Sequence, residues 1–362
     1  MNWKGRILKL FGSKNNRRQF DPKQVKRVLV IRNARIGDAV CAFPLLRELK
    51  KAYPEWGIDV YAGRHSDFLF RKLPYVSRVY IKYKKREFFK TWVELIKMKR
   101  RKYDLIINAM PLKFDREITT FWMNPQWAIG LGMSKDDKQY GIFRDDLTFY
   151  DSVKEFVHGE HMVDYLCGML PLIGIDNYDT QMEFPFSEKE SLTAGAFIHA
   201  LPDQQIIGLN VDASSVKRNL YEEQILQIVR QLKNQTVVLL SLPSRRTELE
   251  KMIQDHQLSN CLLSYQTDTI FDAAELIRRL DLLISPDTSV IHIASALDIP
   301  TVGIYRNDEQ HIALWGPRSK QHVVIKSSVL DDNSLEGFDT EQTVDKSLEL
   351  LKNNKTGFFH DV

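Results

Sequence analysis

The first half of the chain alternates short apolar runs with segments of helical periodicity. Runs rich in β-branched residues predict buried strands at 27–32, 58–62, 79–83 and 103–109. After the first run, apolar residues spaced by three or four predict one helix over 39–53, which Pro54 ends. This alternation of strand and helix is typical of a parallel, doubly wound sheet.

The second half repeats this organisation after a polar stretch. Residues 176–190 are polar, contain Pro185 and predict a linker. Beyond them the pattern predicts strands at 205–211, 236–241, 281–285 and 300–305, and helices at 221–232 and 340–352. Each half therefore opens with a strand that leads through a loop into a helix.

A chain of 362 residues is long enough for two domains. We predict two Rossmann-like, doubly wound α/β domains that face a cleft between the carboxyl ends of their strands, where such sheets bind ligands. The predicted boundaries are a basic segment 1–26, a first domain 27–178, a linker 179–190, a second domain 191–345, and a helix end with its tail, 346–362. This architecture suits transfer between two substrates, with one substrate on each domain.

The net charge of +4 hides an asymmetry between the two halves. Residues 1–180 contain 34 basic and 21 acidic side chains, whereas residues 181–362 contain 17 and 26. The basic half would attract an anionic partner, and nucleic acid, anionic lipid headgroups and phosphorylated glycolipid are all candidates.

Cysteine usage and hydropathy indicate the compartment. The three cysteines, Cys41, Cys167 and Cys261, are scattered, which predicts neither a disulfide framework nor a zinc site and fits a reducing cytoplasm. No run approaches the roughly 20 apolar residues of a membrane span. The first 20 residues also lack the apolar core of a secretory signal.

Two basic segments bear on the anionic partner. At the N-terminus, Trp3, Ile7, Leu10 and Phe11 recur at helical spacing among basic residues, which fits either an amphipathic helix in a membrane interface or a solvated tail. The second segment lies between two predicted strands, and as a cluster it favours attraction to an anionic acceptor or membrane surface. Its basic residues are Lys82, Lys84, Lys85, Arg86, Lys90, Lys97, Lys99, Arg100, Arg101 and Lys102.

The first candidate for chemistry is the loop 33–38, which follows the first predicted strand. Gly37 would permit a tight turn or the close approach of a ligand. Asp38 falls at the start of the predicted helix, where it is either a helix N-cap or a general base. Both interpretations leave its carboxylate ionised.

Two loops of the second half are candidates for binding an anion. In the segment 285–305 a strand ends at Asp287, Thr288 and Ser289, and the helix that follows carries His292. Backbone N–H groups at a helix N-terminus would bind a diphosphate there, although an ordinary capped helix with a buried histidine fits as well. The loop 210–218 supplies Lys217 and Arg218, which either neutralise that diphosphate or lie in solvent.

These features together resemble the ADP-heptose:lipopolysaccharide heptosyltransferases, glycosyltransferase family 9, over roughly residues 27–325. The segment 27–54 is similar to the opening strand, Gly-Asp loop and helix of that family. The segment 281–305 is similar to its Asp-[Ser/Thr]-Gly-x-x-His-x-Ala block and the strand after it, and Trp315–Gly316–Pro317 is similar to a tripeptide found soon afterwards.

The resemblance implies a GT-B fold and an inverting, metal-independent transfer of heptose from ADP-heptose to a lipopolysaccharide core acceptor. The first domain would bind the anionic glycolipid acceptor and the second the nucleotide-sugar donor, and the protein would be cytoplasmic and peripheral on the inner membrane. No DxD motif follows a strand, in agreement with an absence of metal. The implied residues are Asp38 as general base, Gly37 as loop support, Lys217, Arg218, Asp287, Thr288, Ser289 and His292 at the donor, and Arg35 and Arg64 at the acceptor.

Departures from the family pattern leave other functions open. Ser289 stands where the family usually has Gly, and Arg306 follows the strand where relatives often have Gly. A related transferase with another nucleotide sugar for surface polysaccharide is therefore an alternative, as is a catalytically silent binding relative. Nucleic-acid binding is disfavoured, because the chain has no RRM, KH or helix-turn-helix signature.

Overall fold

The computed structural model describes residues 19–111, 114–132, 150–186, 188–213, 215–328 and 334–354. The chain divides into two compact units, Met1–Gln181 and Met182–Val362. The predicted amphipathic segment at the N-terminus lies outside the described residues.

The first unit is built on a parallel sheet of six described strands. They are β1 (Arg27–Arg32), β2 (Gly57–Gly63), β3 (Arg78–Lys82), β4 (Leu105–Asn108), β5 (Trp127–Leu131) and β6 (Ser152–Lys154), in the order β3-β2-β1-β4-β5-β6. Its helices are α1 (Ile36–Val40), α2 (Phe43–Ala52), α3 (Asp67–Arg71), α4 (Phe88–Arg101), α5 (Phe114–Met123) and α6 (Met162–Cys167).

The second unit has its own parallel sheet. Its strands are β7 (Ile206–Asn210), β8 (Thr236–Leu240), β9 (Cys261–Leu263), β10 (Leu282–Pro286), β11 (Thr301–Tyr305) and β12 (His322–Lys326), in the order β12-β11-β10-β7-β8-β9. Its helices are α7 (Glu188–His199), α8 (Glu222–Gln231), α9 (Arg246–Asp255), α10 (Ile270–Ile277), α11 (Ser289–Ala296), α12 (Glu309–Trp315) and α13 (Thr340–Asn354).

Both sheets follow one winding scheme. The first strand of each unit lies in the middle of its sheet, the next two strands extend it on one side, and the last three extend it on the other. The winding therefore reverses between β1 and β4 in the first unit and between β7 and β10 in the second. In doubly wound sheets, ligands bind beyond the carboxyl ends of the strands at such a reversal.

The predicted helix over 39–53 is in fact two helices, α1 and α2, which Cys41 and Ala42 separate. Pro44 has no backbone N–H to donate, so it fits in the first turn of a new helix but not inside a longer one. The end of the predicted linker is also helical, because α7 begins at Glu188.

The central strands are buried on both faces, as expected where helices cover a parallel sheet from both sides. Every residue of β7, β8, β10 and β11 is buried. The core of the second unit includes Leu209 on β7, Leu239 on β8 and Ile284 on β10, together with apolar side chains of α8, α9 and α13. A rigid core thus holds the carboxyl ends of these strands in place.

We expect Leu209→Ala to lower the free energy of unfolding by about 2–5 kcal/mol, because it leaves a cavity in a fully buried position. Leu192→Ala is the control, since Leu192 on α7 is 77% exposed and should change stability by no more than about 0.5 kcal/mol. Urea denaturation measures both variants. Equal losses in the two would contradict the described packing of β7.

Candidate functional site

In the first unit a buried arginine joins two strand ends at the reversal point. Arg32, the last residue of β1, is only 2% exposed. Its guanidinium donates to the carbonyl oxygen of Ala109, just beyond β4, at 2.8 Å. It also donates through Nη2 to the carbonyl oxygen of Asp38 at 2.8 Å. Through these hydrogen bonds Arg32 connects the start of α1 to the end of β4.

The loop between β1 and α1 is also held from the side of β2. The buried hydroxyl of Ser66 donates to the carbonyl oxygen of Ala34 at 2.8 Å. Gly63 ends β2, and a Cβ there would lie 3.1 Å from that same carbonyl oxygen, so the absence of a side chain permits the close approach. The side-chain oxygen and nitrogen of Asn33 are both buried and have no hydrogen-bond partner among the described residues.

Asp38 lies in the first turn of α1 but is not its N-cap. Arg35 occupies the N-cap position, and Asp38 is the third helical residue, so the N-cap interpretation is wrong. Its Oδ2 accepts the backbone N–H of Arg35 at 3.3 Å, the hydrogen bond that an acidic residue at this position of a capping box makes. Gly37 is a buried helical residue and not a turn residue.

The two arginines predicted to bind the acceptor differ in their surroundings. Arg35 is exposed, and its guanidinium has no ion-pair partner in the described part of the chain. Arg64 follows β2, and its guanidinium lies 2.6 Å from the carboxylate of Glu87. Lys90 lies 3.1 Å from the other oxygen of Glu87, so this one carboxylate forms ion pairs with two cations. Arg35 is thus the more available of the two for an anionic ligand.

In the second unit the buried side chain that joins two strand ends is Asn210. It ends β7, is 4% exposed, and its amide nitrogen donates to the hydroxyls of Ser285 at 2.9 Å and Thr288 at 3.2 Å. Thr288 is the N-cap of α11, and its hydroxyl accepts the backbone N–H of Val290. The ends of β7 and β10 and the start of α11 therefore form one hydrogen-bonded unit.

Asp287 contacts two basic side chains through a single oxygen. Its Oδ2 lies 2.9 Å from Nη1 of Arg218 and accepts a 2.8 Å hydrogen bond from Nε2 of His311. Burial by itself would raise the pKa of Asp287. The hydrogen bond from His311 and the positive charges of His311, Arg218 and His292 outweigh burial and lower this pKa below its ordinary value of 3.8.

The remaining predicted donor residues surround this cluster. Lys217 is exposed and forms no ion pair with any residue that the structure describes. Ser289 is the first residue of α11 and its φ is not positive, so serine causes no backbone strain at this position. His292 is buried on α11 and its ring packs edge-on against that of Trp315, with the centroids 5.9 Å apart.

The sequence interpretation missed several polar residues at this edge, His311 among them. Another is Arg245, which lies 2.9 Å from Asp212 and joins the loops after β7 and β8. Asp212 also accepts the backbone N–H of Leu242 at 2.6 Å. Asp212 directly follows a predicted strand, the same signal that identified Asp287, whereas His311 and Arg245 lie farther from any predicted strand and carry no such signal.

Metal and membrane features can be assessed within the described ranges. No three His, Cys, Asp or Glu side chains there come together as a group that would hold a metal ion. No helix in those ranges combines the length and the apolar character that crossing a bilayer requires. The predicted metal independence stays a prediction.

We expect Asp287→Asn to lower the free energy of unfolding by about 1–3 kcal/mol near neutral pH, because Arg218 and His311 lose their anionic partner. Folding lowers the pKa of Asp287, so its carboxylate contributes stability above pH 3.8 and loses it as the pH falls through the lowered value. The difference from wild type should therefore shrink on acidification. Urea unfolding from about pH 7 to about pH 3 measures this difference.

Asp203→Asn is the control for that series, since Asp203 is exposed and forms no ion pair with the residues that the structure describes. Its unfolding free energy should match that of wild type at each pH. A deficit in Asp287→Asn that stays constant across the whole series would contradict the assignment of an ionised, stabilising carboxylate.

The chain is similar to known glycosyltransferases along most of its length. Residues 93–341 match the model of glycosyltransferase family 9 (heptosyltransferase). The lipopolysaccharide core heptosyltransferase OpsX of Haemophilus influenzae is 22% identical over 290 residues, which cover 77% of this chain and 79% of that protein.

Solved structures show the same fold. A glycosyl transferase family 9 protein from Veillonella parvula superposes with a TM-score of 0.72 at 16% identity, covering 91% of this chain and 97% of that one. Escherichia coli heptosyltransferase WaaC with ADP gives a TM-score of 0.66 at 17% identity, covering 91% and 99%. These likenesses confirm the predicted GT-B class of two Rossmann-like α/β units. Because the family model also spans more than half of the chain, this protein belongs to glycosyltransferase family 9, the heptosyltransferases, and is a glycosyltransferase.

Proposed function

We propose that this protein is an inverting, metal-independent transferase that moves heptose from ADP-heptose to an anionic lipopolysaccharide core acceptor. The observation that carries the proposal is the pair of polar strand ends, with Asp38 after β1 and the cluster around Asp287 after β10. The name of the Haemophilus relative supports the acceptor class, and the ADP in the E. coli structure supports the nucleotide.

The donor diphosphate would bind at the start of α11. Backbone N–H groups at a helix N-terminus attract phosphate, and the Thr288 and Ser289 side chains add hydroxyl donors. The exposed ammonium of Lys217 and the guanidinium of Arg218 supply positive charge from the loop after β7. Charge placed where the leaving diphosphate becomes more negative lowers the barrier to its departure.

Asp287 would act in this step by orienting Arg218. A carboxylate repels a diphosphate, so direct contact between the two is unfavourable. The geometry instead pairs Asp287 with Arg218 and His311, and the lowered pKa keeps the carboxylate ionised for that pairing. Asp287 thus limits the rotamers of a guanidinium that would otherwise be mobile, and this reduces the entropy lost on binding.

Asp38 would act as the general base. Its carboxylate takes the proton of an acceptor hydroxyl as that oxygen attacks the anomeric carbon of the heptose. The bond between that carbon and the diphosphate oxygen breaks in the same step, and the nucleotide diphosphate leaves with the bonding electrons. Attack opposite the leaving group inverts the anomeric configuration.

The acceptor would meet the basic first unit, and the protein would work as a peripheral protein on the cytoplasmic face of the inner membrane. An acceptor carrying phosphate or carboxylate groups is attracted by the excess of Lys and Arg in residues 1–180. Arg35, exposed beside Asp38, is the cation best placed to contact such a group.

We expect Asp38→Asn to reduce the transfer rate by about 10²–10⁴-fold, because an amide cannot accept the proton. Affinity for ADP should be unchanged, since Asp38 and the donor residues belong to different units. The assay follows ADP release and the mass of a heptose-deficient acceptor with ADP-heptose as donor, with and without EDTA. Loss of activity in EDTA would overturn metal independence.

Asp104→Asn is the matched control for this variant. Asp104 also accepts backbone N–H groups, those of Lys26 and Arg27 at 2.9 Å, but it lies at the amino ends of the strands. Its transfer rate should equal that of wild type. Turnover of a different nucleotide sugar by wild type, with none of ADP-heptose, would keep the mechanism and replace the donor.

We expect Lys217→Met to weaken ADP binding about tenfold, the equivalent of one lost contact of about 1.4 kcal/mol. Lys233→Met is the control. Lys233 is also exposed, but it precedes β8 and therefore lies at the amino ends of the strands. Calorimetric titration with ADP measures both variants. Equal affinity of Lys217→Met and wild type would remove Lys217 from the donor site.

A further inference from the structure

Helix α4 exposes a row of large apolar side chains that we call the α4 aromatic face, formed by Phe88, Phe89, Trp92 and Val93. Phe89 is 82% exposed, Phe88 58% and Trp92 44%. Exposed apolar residues are unremarkable when they are single, but a contiguous group at the surface marks an interaction site. The catalytic and donor-binding roles proposed above use none of these four residues.

The α4 aromatic face is anchored to the unit beneath it. The ring of Trp92 stacks on that of Trp122 of α5, with centroids 5.4 Å apart, and lies 6.2 Å from that of Phe88. Farther along α4, Met98 is fully buried, so one side of the helix packs on the unit while the aromatic face points outwards. Stacking on α5 thus presents these side chains as an ordered apolar surface.

Positive charge surrounds this surface. Residues 82–102 contain ten basic side chains and only two acidic ones. Both acidic residues are already paired, Glu87 with Arg64 and Lys90, and Glu94 with Lys97 at 2.7 Å. The three consecutive cations Lys84, Lys85 and Arg86 are exposed and are separated from the start of α4 by Glu87 alone.

We propose that the α4 aromatic face docks on an anionic phospholipid bilayer. Aromatic side chains on one side of a helix, with Lys and Arg beside them, match the two parts of such a surface, the acyl boundary and the negative headgroups. Tryptophan in particular favours the headgroup level, where its ring is partly in contact with apolar chains. A protein partner of unspecified charge would not account for the excess of cations.

This docking rests on the proposed function only in that the acceptor is a glycolipid held in a membrane. Docking through α4 would place the first unit against the lipid that carries its acceptor and raise the local acceptor concentration. It requires neither donor nor transfer, so it can be measured separately from catalysis.

The test is flotation of the full chain with vesicles, using phosphatidylglycerol mixed with phosphatidylcholine, or phosphatidylcholine alone. We expect wild type to float with the anionic vesicles. The double variant Phe88→Ser/Phe89→Ser should bind them at least about tenfold more weakly, because two exposed rings no longer enter the interface. The triple variant Lys84→Gln/Lys85→Gln/Arg86→Gln should lose the preference for anionic lipid.

The matched control is Leu192→Ser, which removes an exposed apolar side chain from α7 in the second unit and should bind vesicles as wild type does. Far-ultraviolet circular dichroism and transfer to a water-soluble acceptor fragment should be unchanged in Phe88→Ser/Phe89→Ser. Full vesicle binding by that variant, or equal loss in Leu192→Ser, would overturn the proposal.

Three further outcomes distinguish membrane docking from self-association and from the proposed reaction. Wild-type self-association that Phe88→Ser/Phe89→Ser abolishes, without vesicle binding, would make the face a contact between copies and overturn membrane docking. Vesicle binding by a wild type that transfers no heptose would support docking and reject the proposed reaction. Heptose transfer without vesicle binding would do the reverse.

Discussion

Each unit of this protein depends on one central strand that pairs in parallel on both sides. β1 lies between β2 and β4, and β7 lies between β8 and β10. Helices cover both faces of such a parallel sheet, so the middle of a central strand is an apolar environment that does not accommodate a polar side chain. In the two central strands the polar side chains stand only at the ends, Arg27 and Arg32 in β1 and Asn210 in β7. At the carboxyl end of the central strand, where the winding reverses, two neighbouring loops diverge and leave room for a ligand.

In each unit a buried side chain connects those two loops, but the side chain differs between the units. Arg32 uses a buried guanidinium to bind carbonyl oxygens beyond β4 and in α1, whereas Asn210 uses a neutral amide to bind hydroxyls at the end of β10 and at the N-cap of α11. Because such buried donors are costly to leave without acceptors, each loop is held in one conformation. That rigidity gives Asp38 and Thr288 fixed positions before any substrate arrives.

The sequence predicted the architecture better than it predicted the contacts of the site. All the strands predicted from apolar runs are present, and β1 has the predicted bounds. Four sheet members were left out: β6 and β9 are three-residue edge strands without a long apolar run, whereas β5 and β12 have five residues each and were missed. The contact between Asp287 and His311 joins residues 24 positions apart, and no local pattern reports such a pairing. The position of Asp38 inside its helix was also missed, because α1 begins at Ile36, three residues before the predicted start, and a sequence pattern locates element boundaries only to within a few residues.

The two units also use their cations differently, and this difference follows from the chemistry of the side chains. Around the predicted donor site the guanidinium groups of Arg218 and Arg245 are committed to carboxylates, as suits a planar group that forms directed hydrogen bonds. Lys217 beside them is exposed, and an ammonium on a flexible stem can follow a diphosphate as charge moves onto it. In the segment around α4 ten cations accompany two acids, and Lys84, Lys85 and Arg86 are exposed. The electric field of such a cationic segment attracts an extended anionic surface. The cluster around Asp287, in which Arg218 is already paired with a carboxylate, instead suits one small anion.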